Sequence, residues 1–81
     1  MPRYFLNMQI DGTLVADPDG EEHPDEASVR RSLESVVEDV HRRPQIYGDF
    51  DAWARRHFVV TDESGAAVMS VSVAELLRPE D

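Results

Sequence analysis

The feature that most constrains this chain is a stripe of branched aliphatic residues between positions 25 and 43. Val29, Leu33, Val36, Val37 and Val40 recur at steps of three and four. At about 100° per residue they occupy an arc roughly 100° wide, enough for one buried helix face. Arg31, Glu34, Ser35, Glu38 and Arg42 lie opposite. Asp25, following Pro24, can cap the free N–H groups of a first turn, and Pro44 disfavours helical geometry at Arg43, so the spacing predicts a helix over 25–43. Asp25 and Glu26 stand at the positive end of its dipole, and His41, Arg42 and Arg43 at the negative end. Glu26–Arg30, Glu38–Arg42 and Asp39–Arg43 are expected to add i,i+4 attraction.

Such a helix needs an apolar surface to lie on, and the flanking segments supply one. Residues 3–10, R-Y-F-L-N-M-Q-I, alternate, with Tyr4, Leu6, Met8 and Ile10 on one side and Arg3, Phe5, Asn7 and Gln9 on the other. This period of two predicts a half-buried strand. Asp11-Gly12 suits a two-residue hairpin turn, returning the chain through a strand over 13–16. After the helix, 57–61 and 67–73 read as two further strands joined by D-E-S-G, with Gly65 at a left-handed position and Met69, Val71 and Val73 on one face. The tail from Ala74 to Asp81 is expected to add a helical turn that lays Leu76 and Leu77 on the core. Residues 44–54 fit either a short helical turn capped by Asp49 or a loop pinned by Phe50 and Trp53. The expected architecture is α+β, ββαββ: one small domain over 1–81, with a four-stranded, mainly antiparallel sheet and one long helix on one face.

The opening M-P-R-Y-F, the acidic turn carrying Asp17, Gly20 and Glu22 before Pro24 and Asp25, and the hairpin with Asp62, Glu63 and Gly65 resemble a family of small uncharacterised bacterial proteins. In that family M-P-R-Y-F-F starts the chain, E-L-P-D leads into a helix and D-E-x-G joins the final strands. His23 stands where a leucine is usual, and the 44–54 connection is longer. The resemblance implies a fold and a bacterial source; it implies no activity.

Composition narrows the functions. Without cysteine there is no disulfide framework and no thiolate metal site. No apolar run reaches membrane-span length, and M-P-R-Y-F-L-N-M lacks the apolar stretch of an export signal, so a cytoplasmic protein is expected. The net charge of −9 repels phosphate backbones, so direct nucleic-acid binding is not expected. Arg55 and Arg56 beside Trp53, Phe58 and Tyr47 could stack bases, but as strand residues they would point to opposite faces. The stretch D-P-D-G-E-E-H-P-D-E, 17–26, places Asp17, Asp19, Gly20 and Glu26 at positions three, five, six and twelve of a calcium loop. Position one is Val15, which has no side-chain oxygen, and Pro18 suits a turn. The stretch therefore reads as D-P-D-G turning, E-E-H crossing over and P-D-E starting the helix. His23, His41 and His57 show no metal-ligand spacing, no nucleophile sits with a base, and neither cofactor nor enzymatic activity is expected.

Interaction is what is left. The sheet face away from the helix is expected to show Phe5, Val59 and Val68 among polar residues, with Trp53 nearby, as a surface for a second copy or another protein. The expected function is a non-enzymatic interaction or regulatory module, homodimeric; the alternative is an acidic decoy that occupies a basic nucleic-acid-binding surface of a partner.

Overall fold

Tyr4, Phe58, Val60 and Val71, all on one side of a sheet, meet Val29, Leu33 and Val37 of a long helix to form the core. The computed structural model describes residues 1–77. Its elements are β1 (Arg3–Ile10), β2 (Thr13–Val15), β3 (Glu21–Glu22), α1 (Glu26–Arg42), α2 (Pro44–Tyr47), α3 (Phe50–Ala54), β4 (His57–Thr61), β5 (Ala67–Ser72) and α4 (Val73–Leu76). The fold is α+β: an open antiparallel sheet in the order β2-β1-β4-β5, with β3 paired to the opposite end of β1 and α1 packed against it. Arg78 to Asp81, and with them the end of the expected C-terminal turn, lie outside the described residues.

Each element has a local cause. Asp11 and Gly12, at φ 49° and 81°, form the tight turn between β1 and β2. The Asp25 carboxylate accepts Ser28 N–H at 2.9 Å and caps α1. At the other hairpin, Asp62 Oδ1 accepts Ser64 N–H, Ser64 O–H and Ala66 N–H. Ser72 and Glu75 form a capping box that turns the end of β5 into α4, so Val73 is buried from a helix rather than from the expected strand.

Three expectations need correction. Val36 is 46% exposed, whereas Val29, Leu33, Val37 and Val40 are sealed, so the buried stripe is narrower than the aliphatic pattern. Arg30 pairs with Glu34 at 3.5 Å instead of with Glu26, while the Arg42–Glu38 and Arg43–Asp39 pairs form. The segment after the turn at 17–20 is not a bare crossover, because Glu21 and Glu22 pair with Tyr4 and Arg3 as β3. In the 44–54 connection both α2 and α3 are helical turns, and Asp49 caps the second by accepting Asp51 N–H.

Candidate interaction surfaces

The acidic stretch folds back on the sheet. β1 pairs with β3 through Arg3 and Tyr4 and with β2 through Met8 to Ile10, which leaves a gap on that edge at Leu6. The Asp17 carboxylate fills it, accepting Leu6 N–H at 3.2 Å with Oδ2 and the N–H groups of Asp19 and Gly20 with Oδ1. Burial alone would raise this carboxyl, but the N–H groups of Leu6, Gly20 and Asp19 outweigh it and hold it below its ordinary range. Asp17 N–H in turn donates to Asn7 Oδ1 at 2.9 Å, and Asn7 Nδ2 donates to Val59 O and Thr61 Oγ1. Asn7, 7% exposed, is thereby satisfied on both ends of its amide. Gly20, at φ +71°, lies so close to β1 that a Cβ would meet Tyr4 O at 2.9 Å and the Phe5 ring at 3.0 Å.

This geometry redraws the surface expected from the sequence. Register places Phe5 opposite Thr61 and Asn7 opposite Val59, so Phe5 and Val59 share the face away from α1. Phe5, however, lies beneath the chain's own Gly20. Val68 is not on that face: Val60 pairs with Met69 and Thr61 with Ala67, so Val68 is the extra residue of a β-bulge and packs against the core. Trp53 also packs against the core, its Nε1–H donating to Tyr47 O at 3.0 Å and its ring covered by the Arg56 guanidinium at 4.1 Å. Phe58 is buried, Arg55 and Arg56 follow α3 instead of lying on a strand, and Arg56 is engaged on Trp53.

Asp17, Asp19 and Glu26 do not converge, and among the described residues no three acidic or histidine side chains stand close enough to hold a metal ion. Sequence reasoning missed the link from Glu21 to α1. His23 Nε2–H donates to Glu21 Oε1 at 2.8 Å and Nδ1 stands 2.9 Å from Ser28 Oγ, with the ring tilted against Tyr4. Ser28 N–H is taken by Asp25, so this line of acid, imidazole and hydroxyl ties β3 to the first turn of α1. The Tyr47 hydroxyl donates to Asp39 Oδ2 at 2.7 Å, and that bond, with the Asp39 charge, raises the phenol above its ordinary range.

Among the concavities of the surface, two are of similar size. One, of about 380 Å³, runs beside α1 past Val36, Asp39 and Tyr47. The other, of about 390 Å³, lies between the start of β1, the first turn of α1 and the β4–β5 loop, and Glu26, Asp62 and Glu63 line it. No helix among the described residues is long and apolar enough to cross a membrane. Neither the curated proteins nor the solved structures compared with the chain give a match. A family model does, over residues 3–74, nearly the whole sheet and helix described above: the chain belongs to the family described as Domain of unknown function (DUF6894).

Proposed function

We propose that this protein is a non-enzymatic interaction module that meets a basic partner through its carboxylates. What carries the reading is the way the charges are spent. Arg3, Arg30, Arg42 and Arg43 each reach a carboxylate of their own chain, and Arg56 lies on Trp53. Five of the eight arginines are thus engaged within a chain of net charge −9, and Glu26 and Glu63 carry no ion pair among the described residues. Where the partner is a nucleic-acid-binding protein, these acids compete with phosphates for its basic surface, which would make the module a regulatory decoy. The bacterial cytoplasm is its proposed setting. The test is titration of an arginine- and lysine-rich peptide at rising ionic strength. Association is expected at about 50 mM salt and is expected to weaken by about tenfold or more at about 300 mM, as screening of long-range attraction requires. An affinity indifferent to salt, or no association at low salt, removes this reading.

A second reading, homodimerisation, is favoured by one observation: Leu14 and Val15, on the edge strand β2, are 56% and 51% exposed. An exposed apolar edge invites pairing with another strand. Light scattering at high concentration is expected to show a dimer that Leu14→Glu dissociates; a strict monomer removes the reading.

A further inference from the structure

The 390 Å³ cleft at the start of α1 has an unusual lining. Its polar groups are Glu26, Asp62, Glu63, Tyr4 and Ser64. All of them can accept a hydrogen bond, and among the described residues no arginine or lysine lines it. Asp62 turns Oδ1 toward its own loop, and the Ser64 hydroxyl, with the loop N–H groups, holds the carboxyl below its ordinary range despite some burial. Glu26 and Glu63 are exposed and carry no ion pair among the described residues.

Tyr4 gives an independent indication of a ligand. It is only 8% exposed, yet its hydroxyl makes no hydrogen bond within the described chain. Among the described residues no sealed side-chain nitrogen or oxygen lacks a partner. The Tyr4 hydroxyl is therefore not sealed, and Tyr4 is one of the residues that line the cleft. A phenol oxygen with no protein partner, on a side chain otherwise buried, is free to bond a group that enters the cleft.

The spread of the acids selects the kind of group. Among the described residues no three acidic side chains form a group that could hold a bare metal ion. A guanidinium is larger, planar and delocalised, with five N–H donors that can be shared among separated acceptors. Pro2 and Val68 supply apolar walls for the aliphatic stem of the side chain that carries it. We propose that this cleft receives an arginine side chain of a basic partner protein, its guanidinium bonded to the Tyr4 hydroxyl and to the Glu26 and Glu63 carboxylates. This deepens the interaction reading above and rests on it.

The test uses the full chain, isotope-labelled, with an arginine-rich peptide and the same peptide carrying lysine at each arginine position. Amide shifts are expected to concentrate at Tyr4, Glu26, Asp62 to Ser64 and Val68, with the arginine peptide bound more tightly. Tyr4→Phe keeps the ring in the core and removes no hydrogen bond of the fold, so it is expected to leave thermal stability unchanged and to weaken binding about threefold to tenfold. Glu26→Gln with Glu63→Gln is expected to weaken binding more than about tenfold. Asp19→Asn with Asp51→Asn, which changes the net charge equally outside the cleft, is expected to weaken it much less. Equal losses in the two double variants, or equal affinity for the lysine peptide, overturn the arginine cleft while leaving an acid-driven interaction standing. Absence of any association at low salt takes down both.

Discussion

Asp17 does with one side chain what a neighbouring strand does elsewhere along β1. Its carboxylate takes the Leu6 N–H left open between β2 and β3, and two N–H groups of its own turn, while its N–H binds the buried amide of Asn7. Hydrogen bonds to a charged acceptor are each worth about 1.5–3 kcal/mol net, and unmet donors carry their own penalty. Asp17→Ala is therefore expected to cost about 2–3 kcal/mol in urea unfolding at neutral pH, a large share of the about 4–12 kcal/mol typical of a domain this size. The pH dependence has a definite sign. The folded carboxyl titrates below its unfolded value, so its stabilisation is whole above about pH 4 and drains away as pH falls through the lower folded value. The stability gap between the protein and Asp17→Asn is expected to narrow on going from pH 7 to pH 3. A gap that stays constant would show that the charge on Asp17 contributes nothing.

At the scale of the element, α1 shows how far a periodic pattern reaches and where it stops. The hairpin turn at Asp11-Gly12, the cap at Asp25 and the stripe through Val29, Leu33 and Val40 are local, and each is legible from a few consecutive residues. Val36 and Val37 are not, because they sit at opposite margins of a stripe about 100° wide and the sheet decides which margin it covers. It covers Val37, which is 1% exposed, and leaves Val36 at 46%. Val37→Glu is expected to cost more than about 3 kcal/mol, as a buried unpaired charge does, and Val36→Glu to stay within about 0.5 kcal/mol. Similar losses from both, measured by thermal unfolding, would mean that the sheet meets the helix differently. The same limit explains the other misreadings. Strict alternation along 67–73 puts Val68 outward, but the bulge opposite Val60 and Thr61 breaks the alternation and sends it to the core. The return of Asp17 to Leu6 and Asn7 is a contact between strand edge and loop that leaves no periodic mark at all.

For the whole molecule the governing quantity is charge over size. A net charge of −9 is held within a radius of gyration of 12.7 Å. At about 10 mM salt the screening length is about 30 Å, so every carboxylate feels every other; at about 150 mM it is about 8 Å, and repulsion across the molecule is largely removed. The ion pairs at 3.0–3.8 Å lose little over that range, and exposed pairs contribute only about 0–1 kcal/mol each to begin with. Self-repulsion therefore outweighs pair screening, and Tm is expected to rise by several degrees, about 4–8 °C for each kcal/mol of relieved repulsion, between those two salt concentrations. A falling Tm would mean that the arginine pairs, not the excess acid, dominate the electrostatics of the fold. The expected sign also separates stability from function. Salt that steadies this chain is the same salt expected to loosen its hold on a basic peptide, so binding lost at higher ionic strength, with Tm rising in the same samples, is lost at the interface and not through unfolding.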